Sequence, residues 1–488
     1  MNGINAKPHA LNHMKRSSLG GTSPSRAILV ASLATVGLGS VPIQVAHAAP
    51  VQVPCNVNNL INAISSAASG DFLSLTEGCV YTLTAANNSD PILGDNGLPV
   101  ITKTLTIKGN GATITRAQGA PKFRIFQVAH NGGDLTISDL TVDNGDTSGS
   151  ETDFKAGVGG GIFNLGTLKV TNSTFSRNHA SFGGGGIDNG IPDEPPEHNP
   201  VPGNLTLSDS VLFDNSGGVG AAIASGATST MNLTGCTISH NTASIAGGGI
   251  ANQSQGTGIL SKCVTSGNTV TGSALLGGGG IDNGGQLFLT DSPISGNSVT
   301  FTGSGNPNGF GGGLLNLASG TATLTRSNVI GNSATNGGGG ILNGALPGAF
   351  GTVTLTSSDV TGNSSPTVGG GIANGGHMTL TETNVTGNNA KQDGGGIANL
   401  AVPGATTVVT LTLTHTNVTG NTAMGNGGGI ANEQLMGATV VAILTLTHGD
   451  VTDNKAGQGQ HGGGIFNQPG NTVTLNQSTV AGNTPDDF

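Results

Sequence analysis

The chain contains no tryptophan and, among 488 residues, a single tyrosine, Tyr81. Sugar-binding grooves favour such rings as stacking platforms, so a polysaccharide would find no aromatic platform here. Charge is equally thin. Asp, Glu, Lys and Arg make up 9% of the chain, and the 16 basic groups are outnumbered by 26 acidic ones. That balance argues against nucleic acid or an anionic lipid surface as a partner. After residue 48 no run of about 20 apolar residues occurs, which excludes a transmembrane helix.

Glycine is what the chain has, 86 residues of it. Composition alone would read as low complexity, but the glycines punctuate period-two runs such as Thr-Val-Thr-Leu-Thr at 352–356, which are strands. The tract Gly-Gly-Gly-Ile-x-Asn recurs with its apolar residue at Ile162, Ile187, Ile250, Ile281, Leu314, Ile341, Ile372, Ile397, Ile430 and Ile465. A worn copy surrounds Ile223, where Ser225 replaces the asparagine. Copies lie 25 to 36 residues apart, the period of a solenoid that grows as one body.

The first 48 residues differ. Lys15, Arg16 and Arg26 precede an apolar stretch from Ala27 to about Val45, followed by the small-x-small site Ala46-His47-Ala48. This reads as an export signal, leaving a mature chain of net charge −14 with 12 basic and 26 acidic groups, bound for the cell exterior or surface. The expected domains are this signal (1–48), an N-terminal cap (49–84) and the repeats (85–488). In the cap, Val57, Leu60, Ile61, Ile64 and Ala68 share one helix face with Gly70 as its stop, covering the apolar end of the first coil. No comparable helix follows Asn483. Cys55 and Cys79 flank the cap and pair as a disulfide in an oxidising compartment.

Between tracts runs a second unit, as in Val-Thr-Leu-Thr-Ser-Ser-Asp-Val-Thr-Gly-Asn at 353–363. Alternation points Val353 and Leu355 inward; after a bend, Ser358 and Val360 face in and Asn363 closes the turn. Equivalent positions hold Asn241, Asn268, Asn297, Asn332, Asn388, Asn421 and Asn454, whose amides can form a ladder. Each coil has about three short strands. The expected fold is all-β, a right-handed parallel β-helix of about 11–12 coils with a short N-terminal capping helix.

The paired glycine-tract and Val-x-Gly-Asn units resemble the repeats of right-handed parallel β-helix proteins, including chlamydial polymorphic outer-membrane proteins. Phe175-Ser176-Arg177-Asn178 is near their Phe-x-x-Asn form, although most coils here carry Val. The stretch from Cys55 to Thr84 is similar to the N-terminal module of secreted bacterial β-helix proteins with a Cys-Ser-Leu-Arg-Glu-Ala motif, which is not intact here. The resemblance implies a pectate-lyase-like fold and specifies function poorly.

Stacking turns equivalent residues into columns. Cys236 and Cys263 occupy an inward corner held elsewhere by serines, either as two small buried residues or as a disulfide. An outward column holds Glu382, His415 and His448 on three consecutive coils, with Lys262, Asp291 and Arg326 as a charge ladder earlier in it. One carboxylate and two imidazoles are a set for calcium or another divalent metal, or for acid–base chemistry; a solvated stripe is the plainer reading, and the expectation is no cofactor. Paired outward threonines from Thr323/Thr325 to Thr445/Thr447 resemble the face of ice-binding β-helices, and are also ordinary strand-surface residues. Insertions enter after Ile-x-Asn, at 190–203, 344–351, 400–408 and 433–442, and loops on one solenoid edge often form its binding surface.

Glycoside hydrolysis needs two carboxylates about 5–9.5 Å apart, whereas Asp188 and Asp282 fall three coils apart, roughly 14 Å. A lyase wants a basic residue beside an acidic cluster, and arginine is scarce. The expectation is therefore a secreted, more likely non-catalytic, adhesin-like protein binding an extracellular glycan or cell-surface ligand. The alternatives are a polysaccharide lyase or hydrolase and, remotely, an ice-binding protein.

Overall fold

A computed structural model describes residues 49–149, 154–191, 200–273, 276–303, 309–317, 319–344 and 350–488. The export segment 1–48 and the insertion residues 192–199 and 345–349 lie outside the described residues. Among those described, the chain is a right-handed parallel β-helix, and no helix is long and apolar enough to cross a membrane. One coil runs through strands Ile341–Asn343, Thr352–Thr356, Val360–Thr361 and Ser364–Ser365 before the next tract begins. The second and third of these belong to a 27-stranded sheet, the first to a 13-stranded sheet and the fourth to a 12-stranded one. In the 13-stranded sheet, Val201–Pro202 is an antiparallel addition, so eleven tract strands and Phe126–Val128 form twelve parallel rungs among the described residues.

Period-two alternation decides what lies inside. Val353, Leu355, Ser358 and Val360 are all 0% exposed, and the same positions repeat in register from rung to rung. Glycine in the tract is a steric necessity. Gly369 sits at φ +63°, in the left-handed region that side chains resist. A methyl group on Gly370 would stand 2.4 Å from the Asn389 backbone of the next rung. The turn after each first strand of the long sheet is also left-handed but carries ordinary side chains: Arg326, Ser357, Glu382, His415 and His448 all lie at φ 48–53°. Their column points to solvent, and no packing selects its residue type.

Two asparagine ladders run inside. The Val-x-Gly-Asn ladder is continuous; each side-chain amide donates to the next Oδ1 from Asn178 to Asn483 at 2.9–3.0 Å. The Ile-x-Asn ladder runs from Asn252 to Asn467 in the same way. It breaks at the worn copy, where Ser225 leaves the buried Asn252 Oδ1 without a partner. Ser225→Asn is expected to restore the rung and raise stability by about 1 kcal/mol, read as a higher unfolding midpoint in urea; an unchanged or lower midpoint would refute the repair.

At the N-terminal end, helix Val57–Ser66 is capped by Asn56, whose Oδ1 accepts the Asn58 N–H at 2.8 Å. Leu60 and Ile64 enter the main core. Ala67 is buried in place of the expected Ala68, because the helix ends at Ser66 and Ala67 is already extended. Cys55 and Cys79 are joined by a disulfide.

Candidate functional site

The cluster expected from sequence does not converge. Glu382 accepts a hydrogen bond from Ser357 at 3.1 Å, on the rung away from the histidines. His415 and His448 stack face to face, with ring centroids 5.0 Å apart, and His448 pairs with Gln477. Among the described residues no group of three His, Cys, Asp or Glu side chains is arranged to hold a metal. Cys236 and Cys263 are buried free thiols on adjacent rungs, with the Cys236 N–H donating to Cys263 Sγ at 3.4 Å. Arg326 grips Asp291 through two hydrogen bonds of 2.7 and 3.0 Å. The threonine columns stack in register.

A groove lies instead over the Ile-x-Asn strands, on the edge that carries the insertions. Its floor is the residue after each tract isoleucine. Leu342, Ala373, Ala398 and Ala431 alternate away from the core yet are at most 7% exposed, because the chain rises on both sides. One wall is the residue before each glycine tract: Phe310, then Val368. The other is the chain leaving Ile-x-Asn, with Leu400, Val402 and Leu435 at the roots of the insertions. With Leu342 and Ala373 as floor, these walls enclose about 200 Å³ of mainly apolar space.

Two carboxylates extend these walls. Gly369 N–H donates to Asp393 O and Gly338 N–H to Val368 O, so Asp393 follows Val368 in the first wall. Leu400 pairs with Glu433, so Glu433 follows Leu400 in the second. Glu433 is half-buried, and burial, reinforced by the charge of Asp393, pushes its acid range up to about 7. Asp393 is anchored by the Asn426 N–H at 2.6 Å. Acid–base chemistry needs this asymmetry, one carboxyl holding its proton near neutrality beside another carboxylate. Neither residue was found from sequence. The repeat register could have found them, since Asp393 immediately precedes its tract and Glu433 lies three residues past Ile430 on the next coil.

Asp188 and Asp282 occupy the floor position further up, and the register Asp188–Ala224–Ala251–Asp282 keeps them three rungs apart. Burial pushes each up to about 7. Asp188 accepts the Gly184 N–H at 2.9 Å and feels Arg124, a buried guanidinium over the Phe163 ring, whereas Asp282 Oδ1 has no partner. Because the native form keeps protons that the unfolded chain releases above about pH 4, stability falls as pH rises from about 4 to about 7. Asp282→Asn is therefore expected to leave stability at pH 4 nearly unchanged and to raise it at pH 8 by roughly 3 kcal/mol. Equal effects at both pH values would contradict the buried-acid assignment.

No protein-family profile matches the chain, and no curated protein does. Among solved structures, the periplasmic alginate epimerase AlgG matches with a TM-score of 0.36 at 10% identity, over 87% of this chain and 83% of that one. A double mutant of the same enzyme gives a TM-score of 0.39 at 11% identity over the same shares. This likeness concerns the fold alone. The expectation that the chain is more likely no enzyme is nevertheless corrected: the structures it matches are those of an enzyme. That expectation rests on the three-coil separation of Asp188 and Asp282 and takes no account of Glu433 and Asp393.

Proposed function

We propose that the protein is a carbohydrate-active β-helix that cleaves glycosidic bonds of an uncharged polysaccharide laid along the groove. The observation that carries this reading is the placement of two acidic side chains, Glu433 and Asp393, on the two walls one rung apart, with burial and the charge of Asp393 both raising the acid range of Glu433. Glu433 delivers its proton to the glycosidic oxygen as the bond to the anomeric carbon breaks, and Asp393 supports the positive charge that develops there or activates the attacking water. Hydrolysis is favoured over lyase chemistry because neither carboxylate is salt-bridged to a basic residue among the described residues. The acidic body would also repel a polyuronate. The export segment and the Cys55–Cys79 disulfide support action in the cell envelope or outside the cell.

Release of reducing ends from a panel of β-glucan, xylan, mannan and starch is the test. Turnover of at least one that is lost in Glu433→Gln supports the proposal; no turnover of any, or turnover unaffected by the substitution, overturns it.

A further inference from the structure

A second, wider cavity lies elsewhere, on the long sheet at its N-terminal end. It is an open trough of about 880 Å³ over the first five stacked strands, bordered by Gln52, Glu77, Lys108, Asn110, Asp139 and Asn172. At ~4.8 Å per rung it runs roughly 19 Å along the axis. Its shape comes from one irregularity. Between Lys108 and Ala112 the third of these strands spends three residues where the next spends only Asp139, so the corner bulges outward. Asn110 pins the bulge, its amide donating to Ser74 Oγ at 3.0 Å and to Leu75 O at 2.8 Å. Its own carbonyl accepts the Gly78 N–H at 3.2 Å, fixing the turn that carries Glu77. That turn is tied down on its other side by the Cys55–Cys79 disulfide. Asn172 orients Asp139 through a 2.7 Å hydrogen bond.

The walls are thus held in place while several polar ends remain free. Among the described residues, Lys108 and Glu77 are engaged in no ion pair or side-chain hydrogen bond. We infer that this trough is a second saccharide-binding site, separate from the groove, which holds a short stretch of uncharged oligosaccharide. Carboxylates such as Glu77 and Asp139 accept from neighbouring hydroxyls, and Lys108, Gln52 and the asparagines donate to hydroxyl and ring oxygens. The ammonium at the centre disfavours a cationic ligand, and two carboxylates on an acidic body disfavour a uronate. The site does not depend on the catalytic reading of the groove, and it places an anchor for a long polymer on a different face.

Titration calorimetry with cellohexaose, xylohexaose, mannohexaose, maltohexaose and hexagalacturonate tests this. At least one uncharged hexaose is expected to bind. Lys108→Ala and Asp139→Asn should each raise its Kd by about tenfold at an unchanged melting temperature, while Glu433→Gln leaves this binding intact. The inference fails if no uncharged hexaose binds, if hexagalacturonate alone binds, or if both trough variants bind as the parent does. Because the trough is read by binding and the groove by turnover, either can fail without the other.

Discussion

Glu433→Gln is expected to lower kcat on the polysaccharide substrate by roughly 10²–10⁴-fold while moving KM little, since glutamine keeps the shape of the wall but has no proton to give. The pH profile carries the more specific signature. With Glu433 pushed up to about 7, the proposed activity of the parent protein should fall as pH rises through neutrality, and that limb should be absent from the residual activity of the variant. Asp393→Asn separates the two contributions. It removes the charge that helps hold the proton on Glu433, so the remaining activity should fall off at a lower pH than in the parent. A parent-like alkaline limb in Glu433→Gln would assign the titrating group to another residue.

The largest loss of stability is expected from Asn332→Ala, in the middle of the continuous ladder. The Asn332 amide donates to Asn363 Oδ1 and Ile294 O, both at 3.0 Å, and its Oδ1 accepts from the Asn297 backbone at 2.9 Å and the Asn297 amide at 3.0 Å. Alanine strands these partners in a site 1% exposed. At about 1–3 kcal/mol for each buried group left unpaired, the total is on the order of 5 kcal/mol. Solenoid rungs open locally, so the loss should appear first as faster amide exchange in rungs 294–299 and 360–365. The exposed Thr379→Ala should stay within about 0.5 kcal/mol. Unchanged exchange in those rungs would show that the ladder is ornamental.

How much of this was legible follows from where each residue sits. The inward residues of 353–363 and the asparagine ladder could be read because burial selects their type on every coil, and repetition multiplies the signal. The left-handed corner column drew attention because its residues vary, yet the variation reflects exposure: Arg326, Glu382 and His415 share a turn that faces solvent, and no neighbour draws the Glu382 carboxylate toward the imidazoles. Glu433 and Asp393 were hidden for the opposite reason. Each is an isolated acid in a column of unrelated residues, and its chemistry comes from burial between two walls and from its partner's charge, neither of which has a local sequence pattern. The trough was missed because the first coils lack the glycine tract, so the register gave no alignment there.

The most direct test of the groove is the crystal structure of the Glu433→Gln variant bound to a hexaose that the parent cleaves. The account predicts sugar running from the pocket over Leu342 and Ala373 toward Glu433 and Asp393, with a glycosidic oxygen within hydrogen-bond reach of the side chain at 433 and Asp393 beside the same linkage. An oligosaccharide bound elsewhere, with neither carboxyl position touched, would contradict it.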